Sequence, residues 1–132
     1  MGGQKPERLH QLDLSGARVL LVEDEYYIAD DLRRTLKGAG ATVVGPCSTL
    51  ASAQEAIDDA VFDCAVIDLN LHGKSAVVLA DRLIDQGKSF AIATGYGSPT
   101  LPERLRSVPR IEKPFDPAAL LNLVGQLWTK PA

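Results

Sequence analysis

The sequence predicts an α/β fold in which helices cover both faces of a parallel sheet. Short apolar runs of strand length alternate along the chain with segments whose apolar residues recur at helical spacing. Residues 62–69 are mostly apolar, as in a strand that is buried on both faces. Five strands that alternate with five helices need right-handed crossover connections, and such connections imply a parallel sheet.

The first half of the chain contains two strand–helix units. Residues 17–22 are an apolar run of strand length. Three apolar residues then recur on one face of a helix: Ile28, Leu32 and Leu36. Residues 41–46 form the second predicted strand, and Ser48 can cap a helix that ends near Asp59. The inward residues of this second helix are Leu50, Ala53 and Ile57.

The second half of the chain adds further units. The third strand covers residues 62–69 and the fourth covers residues 89–94. A third helix between them ends near Gly87, and its predicted inward residues are Val77, Ala80, Leu83 and Ile84. Ser98-Pro99 is typical of a helix start, but few apolar residues follow it, so we expect a short or mobile fourth helix.

A last strand and helix complete the predicted domain. Residues 108–112 are the fifth strand, and Pro109 indicates that this strand lies at an edge of the sheet. Asp116-Pro117 starts the fifth helix. Its inward residues are Leu120, Val124, Leu127 and Trp128. Residues 1–16 fall outside the pattern and are expected to be an arm or a disordered tail, which leaves residues 17–130 as the domain.

The composition is that of one soluble domain. The 132 residues are 45% hydrophobic and 23% charged, and the net charge of −3 weighs against a nucleic-acid or anionic-membrane partner. No apolar run approaches the roughly 20 residues that span a bilayer. The N-terminus shows no secretory signal, so we expect a cytoplasmic protein. Cys47 and Cys64 lack the spacing of metal ligands and are expected to be buried.

Polar residues are concentrated where the predicted strands end. These residues are Glu23, Asp24, Asp68, Thr94 and Lys113. The carboxyl ends of parallel strands meet at one edge of the sheet, where ligands bind in folds of this class. Carboxylates that are brought together repel each other unless a cation joins them, and Mg²⁺ prefers such oxygen ligands. Each residue alone has an ordinary explanation, but together they predict one shared site.

Four short motifs resemble the bacterial response-regulator receiver domain. They are V-E-D-E at 22–25, V-I-D-L-N at 66–70, A-T-G at 93–95 and E-K-P-F at 112–115. Each motif alone is weak, whereas their order and separations over residues 17–130 are specific. The resemblance implies a flavodoxin-like (βα)5 doubly wound sheet with the strand order 2-1-3-4-5.

The resemblance also implies the chemistry of the shared site. Asp68 is expected to accept a phosphoryl group from a sensor histidine kinase, a histidine phosphotransfer protein or a small phosphodonor. Mg²⁺, or Mn²⁺ in its place, is expected to bind Asp24 and Asp68 directly. Glu23 is expected to bind the cation through water, and the backbone carbonyl of Asn70 completes the protein ligands.

Three more features of the site follow from the same resemblance. Lys113 is expected to pair with one phosphoryl oxygen, and Thr94 is expected to donate a hydrogen bond to another. The Lys113–Pro114 peptide bond is cis in similar domains, and we expect the same here. Movement of Thr94 toward the phosphoryl group would carry the signal to the loop after the fourth strand.

The sequence departs from the usual family pattern at the switch. Most receivers carry an aromatic residue three positions before the lysine, and here that position is Arg110. Residues 90–97, F-A-I-A-T-G-Y-G, resemble the FAT GUY subset, which is named for a Phe-Ala-Thr-Gly-Tyr stretch and often occurs as stand-alone proteins. The match is imperfect because Ile92 stands where that stretch has its Phe. We hypothesise that Tyr96 and the fourth helix act as the switch.

These observations favour a phosphorylation-dependent signalling switch that is not an enzyme beyond its own phosphorylation and dephosphorylation. No output domain is evident, so the signal is expected to pass through protein–protein contact or a phosphorelay, without direct contact to nucleic acid or membrane. Receivers often pair through their fourth and fifth helices, so a weak homodimer is one expectation for this chain. The sequence also leaves open the alternative that this chain is a receiver cut from a longer protein.

Other functions remain as alternatives. A haloacid-dehalogenase-like phosphatase would also form an aspartyl phosphate, but it needs a second acid where this chain has Asn70. A nucleotide or flavin binder would need a glycine-rich turn, which V-E-D-E replaces. A degenerate receiver that acts as a phosphate-independent adaptor would have lost site residues, but those residues are present here: Asp24, Asp68, Thr94 and Lys113.

Overall fold

A five-stranded parallel sheet forms the centre of the protein. The computed structural model describes residues 13–95 and 101–128. The strands are β1 (Arg18–Val22), β2 (Thr42–Cys47), β3 (Cys64–Asp68), β4 (Ser89–Thr94) and β5 (Arg110–Glu112). They lie in the order β2-β1-β3-β4-β5, and every neighbouring pair is parallel. The predicted sheet, its strand order and the edge position of the fifth strand are therefore confirmed.

Within residues 13–95 and 101–128, four α-helices cover the two faces of this sheet. They are α1 (Tyr26–Gly38), α2 (Leu50–Asp59), α3 (Val77–Asp85) and α4 (Pro117–Leu127). The buried residues of α1 and α4 share one apolar layer with the sheet, and those of α2 and α3 share the other. This is the doubly wound arrangement that the sequence predicted. None of the helices in the described part of the chain is long and apolar enough to cross a membrane.

The central strand β3 explains why residues 62–69 are mostly apolar. All five residues of β3 are buried. Ala65 and Ile67 belong to the layer with α2 and α3, whereas Cys64 and Val66 belong to the layer with α1 and α4. Full burial of a valine or isoleucine side chain, as at Val66 and Ile67, contributes roughly 1.5–3 kcal/mol. Asp68 is the last residue of the strand, where the sheet reaches its carboxyl edge.

Two helix starts can be compared with their predicted caps. Asp116 caps α4 by accepting a hydrogen bond from the Ala119 amide at 3.2 Å, with Pro117 as the first helical residue, as predicted. The prediction for α2 was one residue early, because Thr49 is the cap and Ser48 is not. The Thr49 hydroxyl accepts from the Ser52 amide at 3.0 Å, and the Ser52 hydroxyl accepts from the Thr49 amide in return.

The segment between β4 and β5 differs from the expected fourth helix. Its described part contains one turn of 3-10 helix at Glu103–Leu105, while Ser98 and Pro99 lie outside the described residues. Leu105 is fully buried, so this turn is not loosely packed. Arg104 also donates two hydrogen bonds, of 2.8 and 2.9 Å, to the carboxylate of Asp81 on α3.

Two further expectations about packing need correction. Ile84 was predicted to face the core but is 46% exposed, and Leu79 on the same helix is buried instead. The domain was predicted to begin at residue 17, yet Leu14 is 2% exposed and its amide donates to the Ala39 carbonyl at 2.7 Å. Residues 13–16 therefore pack on the domain, and residues 1–12 lie outside the described part.

The register between β1 and β2 shifts between Leu20 and Val22, and the resulting bulge in β2, which contains Gly45, generates a stability prediction. Gly45 has φ +101°, and an added Cβ would lie 2.7 Å from the Cys47 nitrogen and 2.8 Å from the Leu21 oxygen. Both contacts are with backbone that the sheet holds in place, so the strain cannot relax easily. Gly45→Ala is expected to lower the free energy of unfolding by about 2–3 kcal/mol, measured by urea denaturation.

Gly38→Ala is the matched control. Gly38 is the last residue of α1, and an added Cβ there meets no atom within 4 Å. This variant should keep the parent stability or gain up to about 1 kcal/mol, because alanine favours the helix. Equal losses in the two variants would contradict the role given to the bulge.

Candidate functional site

The structure brings four of the sequence-predicted residues together at the carboxyl edge of the sheet. Glu23 and Asp24 follow β1, Asp68 ends β3, and Lys113 follows β5. Oxygen atoms from the three carboxylates lie within 4.8 Å of one another. The strand order explains this arrangement, because β1 and β3 are neighbours and their carboxyl ends stop at the same level.

Lys113 lies among these acids and pairs with them. Its Nζ is 2.7 Å from Asp68 Oδ2, 2.8 Å from Glu23 Oε1 and 3.0 Å from Glu23 Oε2. The Lys113 side chain is 12% exposed, so the ammonium group is largely shielded from water. One cation therefore neutralises part of the charge of two buried acids.

Burial and charge shift the titration of two groups in the site. Burial raises the pKa of Glu23 to about 7, and the Asp68 charge acts in the same direction. The Lys113 ammonium group and the Glu25 amide oppose this rise in the pKa of Glu23. Burial alone would lower the pKa of Lys113, but the hydrogen bonds to Asp68 and Glu23 outweigh it and the net shift is upward.

The acidic cluster fits a hard divalent cation. Glu23, Asp24 and Asp68 offer only oxygen ligands, which suit Mg²⁺. Glu23 Oε1 is fully buried and has no hydrogen bond, although it lies at ion-pair distance from Lys113. A buried carboxylate oxygen with no hydrogen bond can still take a cation or a cation-bound water. The residues present therefore fit the predicted cofactor.

Both oxygens of Asp68 are engaged in the structure. Oδ1 accepts a hydrogen bond of 2.8 Å from the backbone N–H of Asn70, and Oδ2 contacts the Lys113 ammonium group. The side chain is therefore held in one orientation at the end of β3. The expected role of the Asn70 carbonyl as a cation ligand stays a prediction.

A short hairpin after β3 positions Asp24 and was not predicted. Asn70–Leu71 pairs with Lys74–Ser75, and the two connecting residues, His72 and Gly73, both have positive φ. The His72 amide donates to Asp24 Oδ2 at 2.8 Å. The two-residue loop that ends in glycine was the available signal in the sequence, since such loops are typical of tight hairpins.

Thr94 lines a pocket together with Asp68. The pocket has a volume of about 240 Å³, and its apolar walls include Leu69, Val77 and Leu101. The Thr94 carbonyl accepts a hydrogen bond of 2.8 Å from the Lys113 amide, which links the ends of β4 and β5. The pocket is open space next to the carboxylate that is large enough for a small anion.

The structure describes some of the other features that were predicted for the switch, but not all of them. Tyr96 lies outside the described residues. Arg110 is exposed at the start of β5, in the position where an aromatic residue is usual in the family. The Lys113–Pro114 peptide bond is cis, as expected from the resemblance.

A second, larger space adjoins Lys113. It is a groove of about 700 Å³ between α1 and the loop that precedes α4. Its lining residues include Glu25, Ile28, Arg34, Lys113 and Phe115. Glu25 Oε1 lies 3.7 Å from Lys113 Nζ, so a fourth acid belongs to the surroundings of this ammonium group. The motif V-E-D-E contains Glu25, but no role was assigned to it from the sequence.

The chain is similar in sequence to a known regulatory protein. It is 30% identical over 112 residues to the regulatory protein VanR of Enterococcus faecium, in a match that covers 81% of this chain and 48% of VanR. The chain therefore spans about half of the length of this curated relative. No family model matches it.

Solved structures share both the fold and part of the sequence. SdrG from Sphingomonas melonis Fr1 matches with a TM-score of 0.73 and 31% identity, over 84% of this chain and 92% of SdrG. A response regulator receiver protein from Sinorhizobium medicae WSM419 matches with a TM-score of 0.70 and 27% identity. That match covers 87% of this chain and 96% of the other.

The charge balance at Lys113 leads to a second stability prediction. Lys113→Gln removes the cation and leaves the buried Glu23 and Asp68 carboxylates facing each other. The free energy of unfolding at neutral pH should fall by roughly 3 kcal/mol, because a buried acid that loses its partner is strongly destabilising. Chemical denaturation in the absence of divalent cations measures this loss.

Arg34→Gln serves as the control for Lys113→Gln. Arg34 pairs with Asp31 at 2.6 Å on the exposed side of α1. Exposed pairs of this kind contribute little, so the loss should stay within about 0.5 kcal/mol. A Lys113 variant that is as stable as the Arg34 variant would show that the site does not depend on this cation.

Proposed function

The chain belongs to the family of response-regulator receiver domains, and we propose that it is a phosphorylation-dependent signalling switch whose phosphoryl acceptor is Asp68. The observation that carries this proposal is the position of Asp68. It lies at the end of the central strand, 2.7 Å from the Lys113 ammonium group and in one cluster with two further acids. A carboxylate in these surroundings has a cationic partner in Lys113, and the acids beside it could hold a divalent cation, so both would offset the charge that phosphorylation adds.

The reaction needs an oxygen nucleophile and neutralisation of the phosphoryl oxygens. An oxygen of the Asp68 carboxylate attacks phosphorus, and the bond from phosphorus to the donor breaks, with its electron pair leaving on the donor. Lys113 exchanges its contact with Asp68 Oδ2 for a contact with a phosphoryl oxygen. Thr94 shares the pocket with Asp68 and can donate a hydroxyl hydrogen bond to another oxygen.

A divalent cation would complete this set of charges. Asp24 and Asp68 would hold Mg²⁺ directly, Glu23 through water and Asn70 through its carbonyl. Bound there, Mg²⁺ neutralises charge on the phosphoryl group and helps to orient it. The His72 amide helps to fix Asp24 beforehand, because it donates a hydrogen bond to Asp24 Oδ2.

Phosphorylation would then alter the loop contacts of the site. An acyl phosphate places a charge of about −1.5 to −2 where the carboxylate had a single charge. Lys113 and Thr94 both respond to this charge, and their backbones are joined by a hydrogen bond between the ends of β4 and β5. The segment between these strands is the element whose equilibrium we expect to shift. In the FAT GUY interpretation, Tyr96 takes part in this shift.

The phosphodonor in the cell is proposed to be a sensor histidine kinase or a histidine phosphotransfer protein. Output is proposed to pass through protein–protein contact or a phosphorelay, in the cytoplasm. The described residues contain one receiver fold, so output by this part of the chain depends on its surface. No observation favours the phosphatase or the adaptor over this function.

Covalent phosphorylation tests the proposal. Incubation with Mg²⁺ and acetyl phosphate or phosphoramidate should add one phosphoryl group, which intact-mass spectrometry detects and hydroxylamine removes. Asp68→Asn should abolish the adduct, whereas Asp59→Asn, which changes an acid at the end of α2, should not. A stable adduct on the Asp68→Asn variant, or turnover of unrelated phosphate esters, would contradict the proposed role.

Cation binding provides an independent prediction. Asp24→Asn removes one charged ligand and should weaken Mg²⁺ binding at least tenfold, which corresponds to about 1.4 kcal/mol. Isothermal titration calorimetry measures this change without any phosphodonor. Asp30→Asn is the control, because Asp30 lies on α1 and pairs with arginines outside the acidic cluster. Equal affinities for parent and Asp24→Asn proteins would refute the assignment of the cation site.

A further inference from the structure

Glu25 lies beside the site, but the proposed phosphorylation chemistry assigns no role to it. We infer that Glu25 is a specificity-determining residue, whose charge disfavours dianionic acyl phosphates and favours phosphoramidate donors, which carry less negative charge. This inference rests on the proposed phosphorylation of Asp68. It concerns which class of phosphodonor the site accepts fastest.

The Glu25 carboxylate is placed to act on an incoming anion. It lies 3.7 Å from Lys113 Nζ, and its side chain is 63% exposed. The side chains of Glu23 and Asp68 are only 0% and 11% exposed. Glu25 is also the N-cap of α1, but its side chain makes no capping hydrogen bond. Its carboxylate therefore satisfies none of the free amides at the start of the helix through a capping bond.

A bound cation would leave the Glu25 charge in place. Glu25 is outside the cluster of three acids whose oxygens lie within 4.8 Å of one another. The positive group near it is Lys113, and Lys113 is the residue proposed to contact the phosphoryl group. During transfer, the phosphoryl oxygens and Glu25 therefore compete for one ammonium group.

The charge of Glu25 is close to the acceptor because Lys113 contacts both Glu25 and Asp68. Glu25 and Lys113 both line the groove of about 700 Å³. Arg34 lines it too, but its guanidinium group pairs with Asp30 at 3.0 Å and with Asp31 at 2.6 Å. The positive charge of Arg34 is thus offset by neighbouring acids. An anion at Lys113 would lie well within the Debye length of about 10 Å from Glu25, so salt would not fully screen their repulsion.

Two small donors separate the effect of charge from that of chemistry. Acetyl phosphate is a dianion at neutral pH, and attack by Asp68 breaks its phosphorus–oxygen bond and releases acetate. Phosphoramidate is a monoanion with a protonated nitrogen, and the same attack breaks its phosphorus–nitrogen bond and releases ammonia. Both reactions produce the same aspartyl phosphate without any further reactant.

Coulomb repulsion scales with the charge of the donor. Removal of the Glu25 charge should accelerate the reaction with acetyl phosphate by roughly threefold to tenfold at low ionic strength. The logarithm of the acceleration should be about half as large for phosphoramidate, which corresponds to roughly twofold to threefold. Both accelerations should decline as salt screens the charge.

The test measures initial rates of adduct formation in the full chain with saturating Mg²⁺. Glu25→Gln should show the stated accelerations and a weaker dependence on ionic strength. Glu25→Asp keeps the charge and should react like the parent, whereas Glu25→Lys should exceed Glu25→Gln. Glu55→Gln changes net charge equally on α2, which does not line the groove, and should have no effect.

The outcomes separate this inference from the function on which it rests. If the parent chain is phosphorylated but Glu25→Gln has the same rates and salt dependence, or is slower, Glu25 does not select donors. An equal acceleration with both donors would likewise overturn charge selection. If neither donor phosphorylates the parent chain, the proposed function itself fails. Urea denaturation of each variant shows that differences in rate do not reflect loss of the fold.

Discussion

Lys113 supplies the positive charge that allows two acids to be buried at one edge of the sheet. Its Nζ lies within 3.0 Å of both Glu23 and Asp68, and without it these carboxylates would repel each other in a shielded environment. These contacts hold the side chains in one arrangement. The same arrangement responds to a competing anion, because a group that draws Lys113 away leaves Glu23 and Asp68 without their shared cation. A phosphoryl group on Asp68 would be such a group.

The fold determines which residues take part in this balance. Parallel strands end at the same edge, so residues far apart in sequence become neighbours there. Asp68 is at this edge because the buried residues of β3 fix its register between β1 and β4. The hairpin after β3 then reaches across to Asp24 through the His72 amide. The site is therefore assembled by backbone geometry before any ligand arrives, and this reduces the rearrangement that the reaction needs.

Much of the fold and of the candidate site could be predicted from sequence, for identifiable physical reasons. The order of apolar runs predicted the five strands and four of the five expected helices, and acids at strand ends predicted Glu23, Asp24 and Asp68. The missed features depend on contacts between distant parts of the chain. Leu14 carries no local signal of burial, and the bond from His72 to Asp24 requires the folded hairpin. Ile84 fits a helical stripe in sequence, but α3 packs through the face that carries Leu79, and Ile84 is left exposed.

The central claim is that the charges around Asp68 are arranged to receive a phosphoryl group. The most direct measurement is a crystal structure of the chain with Mn²⁺ and beryllofluoride, which mimics an acyl phosphate. The account predicts anomalous density for the cation among Glu23, Asp24 and Asp68. It also predicts beryllium on an oxygen of Asp68 and the Lys113 ammonium group against a fluoride. Beryllofluoride on another residue, or Lys113 still paired with the Asp68 carboxylate in the presence of both ligands, would contradict the account.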